Sequence, residues 1–373
     1  MTLRRRCRIA YYPNEYETED GSEYHTLSFT VTFPHEDDVC YFAHCYPYTY
    51  TDLSALLTEL HARPNASDFL RMSTLCTSLG GNKVPLLTIT NFKSGKEAVA
   101  ARRAICFSAR VHPGETCASW AMEGVLDLLC GSTGRAKILR NSFVFKVIPM
   151  LNPDGVVAGQ YRCSLAGNDL NRKWRTPCPR LHPSIHAAKE LILETAAERQ
   201  VCLYCDLHGH SRKCNMFMYG CPPRSNSPAL MERVWPYLLH KSSPLFNYDD
   251  CTFKVEQSKE GSARVVVWRE AAVTNSYTLE MSLGGGYFNG NSALSKTVAN
   301  TTVTPQHYDV ADYLQMGHLL CCAILDMYDP GKVKLNSVLA ELTQLHPEVK
   351  RQQEEREMQV CGLKLLVYEA LSC

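Results

Sequence analysis

Long apolar runs are missing from this chain of 373 residues. No stretch of about 18 uncharged apolar residues occurs, which argues against a transmembrane helix. The basic start Met1-Thr-Leu-Arg-Arg-Arg-Cys-Arg8 leads into Ile9-Ala-Tyr-Tyr-Pro13, not into the apolar segment of a secretory leader. A surplus of either charge is missing too: 39 Lys+Arg face 38 Asp+Glu, leaving +1. Without a global field, nucleic acid and membrane surfaces are not expected partners, and any recognition of charge has to be local. No internal repeat is visible, which removes solenoids. Cysteine is plentiful at 18, but the residues are scattered along a long chain and do not frame a small loop-rich one, so free thiols in a reducing compartment are expected. A hydrophobic content of 45% is enough for a sizeable core, in one large domain plus a small one.

Two short segments carry metal-ligand chemistry. In Arg110-Val-His112-Pro-Gly-Glu115-Thr, the His and Glu lie three apart, so a turn opening a helix can aim an imidazole nitrogen and a carboxylate oxygen at one ion. Pro113 suits the first helical turn, and Gly114 lets the backbone bend close to the metal. Ala104 to Val111 reads as a buried strand before this corner, and Trp120, Val125, Leu126, Leu128 and Leu129 give a helical apolar face after it. A lone His-x-x-Glu is common and equally fits a helix-start His with a capping Glu. The second segment, Asp206-Leu-His208-Gly-His210, follows the β-rich run Val201-Cys-Leu-Tyr-Cys205 and supplies His208 as a third ligand. A His, Glu, His set leaves a fourth position open, which separates a catalytic zinc site from a closed structural one. Asp206, on the same side of an extended chain as His208, either orients an imidazole or caps the strand. His210 reads as a loop residue or an outer support of the site rather than a ligand.

Along the chain, residues 24–33 and 39–43 alternate as two strands around the turn Pro34-His-Glu-Asp-Asp38, a small N-terminal β module over residues 1–60. Residues 51–63 form a Thr/Asp-capped amphipathic helix joining that module to a main domain over 61–330. Strands at 86–90, 104–111, 143–150, 201–208, 216–220 and 276–281 alternate with helices at 115–130, 184–200, 229–241 and 307–328. That order predicts an α/β fold, a mixed, mostly parallel sheet wrapped by helices. Residues 284–306, rich in Gly, Asn and Thr, read as an irregular loop, and 331–373 as a helical C-terminal tail.

His112-Pro-Gly-Glu115, Asn152-Pro-Asp-Gly155, Asp169-Leu-Asn-Arg172, Asp206-Leu-His-Gly-His-Ser211 and Thr278-Leu-Glu280 occur in this order. The set resembles the zinc carboxypeptidase A superfamily and, more narrowly, the cytosolic carboxypeptidases that trim glutamate from tubulin. The resemblance extends over roughly residues 24 to 283 and implies the zinc carboxypeptidase fold. It implies one Zn2+ per chain on His112, Glu115 and His208, with Glu280 as general base. It further implies that Asn171 and Arg172 bind the substrate's terminal carboxylate and that Arg162 polarises the scissile carbonyl. Members of that branch carry a complete β-sandwich ahead of the catalytic domain, and residues 1–60 correspond to its last strands alone.

The chemistry of peptide hydrolysis agrees with these roles. A carboxylate such as Glu280 can take a proton from the attacking water and pass it to the leaving amine. An arginine's planar fork matches a carboxylate, and only a chain end offers one in the main chain. A glutamate side chain needs a further cation in its pocket, for which Arg264 is the candidate, a plain surface arginine being the other reading, and Lys213 is a weaker one. The expected activity is removal of C-terminal glutamates from glutamylated tubulin or other acidic protein tails, by a cytoplasmic, microtubule-associated monomer. The alternatives are an amidohydrolase of small N-acyl amino acids and a catalytically inactive tubulin-binding module.

Overall fold

The structure is a computed structural model and describes residues 9–17, 23–224, 227–288, 304–349 and 351. The chain divides into Met1–His44 and Cys45–Cys373. In the first unit β1 (Ile9–Glu17) and β2 (Glu23–Phe29) pair antiparallel, with a register shift between Pro13 and Glu17. This differs from the expected pair: residues 39–43 form no strand, and the partner of the 24–33 segment lies upstream of it. Their alternating pattern is real, but pairing needs an available edge as well as a pattern.

The second unit begins earlier than the expected boundary near 60. α1 (Tyr50–Ala62) has a capping box between Thr49 and Asp52, and it buries Leu53, Leu56 and Leu60, so it belongs to the main body and is not a connector. The sheet strands follow as β3 (Leu70–Thr77), β4 (Lys83–Ile89), β5 (Arg103–Ala109), β6 (Phe143–Ile148), β7 (Val201–His210), β8 (Met216–Tyr219) and β9 (Ser276–Ser282). The helices between them are α2 (Lys96–Ala100), α3 (Thr116–Cys130), α4 (Gly134–Ser142), α5 (Pro153–Val157), α6 (Pro183–Glu198), α7 (Met231–Ser242) and α8 (Ala263–Glu270). After β9 come β10 (Gly285–Phe288), β11 (Thr304–His307), α9 (Val310–Tyr328) and α10 (Val333–Leu345).

The strands form a mixed 7-stranded sheet in the order β3-β4-β6-β5-β7-β9-β8. The central β6, β5, β7 and β9 run parallel, while β3, β4 and β8 are antiparallel additions at the flanks. β3 has no counterpart in the sequence reading; it faces solvent along most of its length, so its pattern lacks the apolar stripe that marks a strand. One face of the sheet packs against α1, α3, α4, α7, α9 and α10 through residues such as Phe107, Leu126, Leu139, Trp235, Leu320 and Leu342. The other packs against α6 and α8 through Tyr204, Ile185, Ile192 and Val266 around Trp174. α3 and α9 meet backbone to backbone: a Cβ on Gly124 would strike the Leu314 carbonyl, and one on Gly317 the Ala121 carbonyl.

Two further expectations change. The ends of the 284–306 segment pair as β10 and β11 instead of forming an irregular loop, and residues 289–303 lie outside the described residues. α10 buries Val338 and Leu342 in the main core, so the described part of the 331–373 tail is part of the second unit; residues 352–373 lie outside the described ones. Chain order places β6 on one side of β5 and β7 on the other. The crevice at the carboxyl ends of β5 and β7 is therefore a topological switch point, where open α/β sheets bind ligands.

Candidate active site

β5 ends at Ala109, and Arg110 turns the chain with φ 58°, a left-handed conformation uncommon for a residue with a side chain. Its own guanidinium holds it there. Nε donates to Pro113 O at 2.8 Å, Nη1 to Ser119 Oγ at 2.8 Å and Nη2 to Tyr48 O at 2.9 Å. Burial pushes its pKa down to about 10, and three oxygen acceptors take the place of water. Gly114 is required for a different reason from the one expected: a Cβ there would collide with the Tyr161 ring, and its N–H donates to Tyr161 O at 2.7 Å. α3 starts only at Thr116, with Glu115 as its N-cap, so His112 and Glu115 both lie on the rigid connection between β5 and α3.

His208 comes from the carboxyl end of β7. His112, Glu115 and His208 each offer a donor atom, and the three atoms lie within 4.8 Å of one another, all from buried residues. His112 Nδ1 is 2.8 Å from Glu115 Oε1, and His208 Nδ1 is 2.8 Å from Glu115 Oε2. Donors about 2.0–2.1 Å from one tetrahedral ion would stand about 3.3 Å apart, so the two 2.8 Å imidazole–carboxylate contacts would open by about 0.5 Å around zinc. The opposite ring nitrogens are also engaged. His112 Nε2 lies 3.0 Å from Asp169 Oδ1, and His208 Nε2 lies 2.8 Å from Asp206 Oδ2. Each carboxylate keeps a proton on Nε2 and leaves Nδ1 as the donor toward the shared point, the usual outer support of a histidine ligand. Of the two readings of Asp206, the hydrogen bond to His208 is the one the geometry realises.

The electrostatics suit a cation. Burial opposes charge on His208, but the Asp206 and Glu115 carboxylates outweigh it and hold the imidazole pKa well above its ordinary value. Burial would raise Glu115, yet the two imidazoles outweigh that and keep its carboxyl far below the usual range. Asp169 is likewise depressed, with His112, Arg162 and Arg172 overcoming its burial. Glu115, buried, and Asp169, half-buried, are both already paired with positive groups, and Glu115 belongs to the cluster set to hold a divalent ion.

Glu280 sits on β9 directly opposite His208 in the β7/β9 register. Burial, reinforced by Glu115 and opposed by His208 and His112, pushes its carboxyl up to about 7, which suits a group that must accept and return a proton near neutrality. Arg162 is half-exposed, and its Nε and Nη2 grip Asp169 Oδ2 at 3.0 and 2.8 Å. Asn171 and Arg172 lie on a single 3-10 turn, Leu170–Arg172. Asn171 Oδ1 accepts from Ala263 N at 3.0 Å, while its Nδ2 faces His208 Nε2 at 3.3 Å. Arg264, on α8, is 4% exposed; its Nη1 donates to Gly220 O, and its guanidinium carbon stands 5.9 Å over the Tyr219 ring.

All eight residues singled out from the sequence, His112, Glu115, His208, Glu280, Arg162, Asn171, Arg172 and Arg264, line one cavity of about 210 Å³. Lys213 lies outside that cavity; it pairs with Asp250 at 3.3 Å and covers the Phe217 ring. His210 lines the cavity without joining the donor cluster, its Nδ1 accepting the amides of Arg212 and Lys213. Sequence reasoning missed Asp169, which ties His112 to Arg162 in one ion-pair chain, and Lys259, a further cation on the cavity wall. Asp169 had a signal, being the lone acid within a loop carrying two arginines. Lys259 had none.

Residues 54–304 match the zinc carboxypeptidase family. The chain is 45% identical to cytosolic carboxypeptidase 2 of Homo sapiens over 90% of this chain and 36% of that protein. It is 43% identical to cytosolic carboxypeptidase 3 of Mus musculus over 91% of this chain and 32% of that protein. The chain thus spans about a third of the length of these curated relatives. Among solved structures, a metallo-carboxypeptidase from Burkholderia cenocepacia superposes with a TM-score of 0.61 at 22% identity, over 79% of this chain and 71% of that one, a likeness of fold. The matched segment runs from within α1 to the start of β11 and encloses every residue of the donor cluster, Glu280 and the arginines: the chain belongs to the zinc carboxypeptidase family.

Proposed function

We propose that this chain is a zinc metallocarboxypeptidase that removes C-terminal glutamates from polyglutamylated proteins such as tubulin, in the cytosol and with one zinc per chain. The observation that carries the reading is the meeting of the His112/Glu115/His208 cluster with Glu280 and the three arginines in a single cavity. Zinc held by the cluster supplies a Lewis acid that lowers the pKa of a bound water toward about 7. Glu280 takes the proton of the attacking water and delivers it to the leaving amine. Arg162, kept in place by Asp169, donates to the oxyanion that develops on the scissile carbonyl, a contribution on the order of 3 kcal/mol. Arg172, beside the Asn171 amide, reads the terminal carboxylate, and Arg264 meets the carboxylate of a glutamate side chain.

Glutamate release from a peptide ending in several glutamates is the test. Metal-loaded protein should release it, a chelator should stop it, and Glu280→Gln should lower kcat by about 10²–10⁴-fold while leaving zinc bound. Arg264→Met should erase the preference for glutamate over leucine at the chain end. Tubulin binding by folded, metal-loaded protein that releases no amino acid would overturn the enzymatic reading in favour of a binding module.

A further inference from the structure

Behind His208 runs a chain of buried hydroxyl and carboxylate groups that the hydrolytic roles leave unused. Tyr204, Asp206 and His208 alternate along β7 and so project from one side of it. On the neighbouring strand Ser108 stands directly opposite Asp206, and Cys106 opposite Tyr204. All four polar residues are buried. Asp206 Oδ2 faces His208 Nε2 at 2.8 Å, Ser108 Oγ donates to Asp206 Oδ1 at 2.7 Å, and Ser108 Oγ lies 2.7 Å from the Tyr204 hydroxyl.

The proton directions follow from this geometry. Ser108 has one hydroxyl proton, and a carboxylate can only accept, so that proton goes to Asp206 and the Tyr204 hydroxyl must donate to Ser108. Every link then points one way: Tyr204 to Ser108, Ser108 to Asp206, with the second Asp206 oxygen accepting the proton on His208 Nε2. Around it lies an apolar layer that includes Cys106, Ile148, Ile185 and Trp174. Replacing both partners of a buried hydrogen bond with apolar groups of the same shape is close to neutral for stability. Core stability alone therefore does not require this polar chain.

We propose that Ser108 and Tyr204 are positioning residues for the metal centre: they fix the rotation of the Asp206 carboxylate, and through it the tautomer and ring plane of His208. Tyr204 acts through Ser108, the hydrogen-bond partner that links its hydroxyl to Asp206. The inference rests on the assignment of His208 as a zinc ligand in the reading above. It also fixes an order of importance. Asp206 touches the ligand, Ser108 touches Asp206, and Tyr204 stands one step further out.

Zinc affinity, measured by competition with a chromophoric chelator, tests it together with the d–d absorption of the Co2+-loaded protein. The melting temperature of each metal-free variant is recorded beside them, so that loss of fold is read separately from loss of metal. Removing a group that supports a ligand weakens metal binding about 10–100-fold, so Asp206→Asn should fall in that range. Ser108→Ala should fall about 10-fold and Tyr204→Phe, which keeps the ring and loses only the hydroxyl, about 3-fold, each with an altered Co2+ spectrum. The decisive variant is the double Ser108→Ala/Tyr204→Phe, which should match Ser108→Ala alone. Affinities within 2-fold of wild type for both single variants, or losses that multiply in the double, would overturn the relay. Zinc affinity unchanged by His208→Ala would overturn the ligand assignment itself, and with it the proposed function.

Discussion

Two buried glutamates stand at the starts of two helices, and the structure treats them in opposite ways. Glu115, the N-cap of α3, has both carboxylate oxygens engaged, one by His112 and the other by His208 together with the Gly209 amide. Glu232, in the first turn of α7, is 0% exposed, and neither oxygen has a hydrogen-bond partner among the described residues. Arg233 Nε lies 3.2 Å from Glu232 Oε1 but also lacks a hydrogen bond, so the contact is close without being aligned. Burial raises the carboxyl pKa of Glu232, its own amide and Arg233 only partly offsetting it, whereas the two imidazoles depress that of Glu115. A helix N-terminus and a buried glutamate do not make a site. The partners on the carboxylate do.

The same substitution at the two positions should therefore have opposite signs. Glu115→Gln removes a ligand and the negative charge between the two imidazoles; zinc affinity by chelator competition should fall by more than about 100-fold, beyond the range for groups that only support a ligand. A smaller loss would break the comparison at its stronger end. Arg110 asks whether countercharge is needed at all, because it is buried on three oxygen acceptors and makes no ion pair among the described residues. Arg110→Met should cost about 2–3 kcal/mol in urea unfolding, since it strands those acceptors and frees the turn at φ 58°. Asp169→Asn keeps the shape and removes the charge between His112 and Arg162; zinc should bind about 10-fold more weakly.

Glu232→Gln is the smallest effect and the one of reversed sign, a gain on the order of 1 kcal/mol near pH 7. Because the folded pKa of Glu232 is raised, its protonated form favours the fold. That stability is complete below the unfolded value of about 4.3 and is lost as pH climbs from there through the higher folded value. Urea midpoints measured from pH 4 upward should decline for the wild type across that window and stay flatter in the variant. A parallel decline in both would assign the pH dependence to other groups.

The contrast also shows what local sequence can express. The corner from Arg110 to Glu115 was legible because its ligands lie three apart and its neighbours announce a strand and a helix. His208 was legible because it ends an apolar run. β3 was not, since an edge strand facing solvent carries no buried stripe. The pairing of β10 with β11 was hidden by glycines that also suit a loop, and Thr304 and His307 find their partners across the whole 289–303 segment. Asp169 was visible as a residue but not in its role, because its two partners are identified only once the loop from Tyr161 to Trp174 folds back over the strand ends.

The amino-acid order alone determined which chemical groups were present, the alternation of strands and helices, and the short-range geometry joining His112 to Glu115, because each depends on residues within a turn or a strand of one another. Tertiary structure decided which residues meet. The His208 and Glu280 neighbours, the Ser108 and Asp206 contact and the Arg264 approach to the cavity all arise from the register of parallel strands brought together by intervening helices. Register between distant strands is set by how the whole core packs, and no local pattern encodes it.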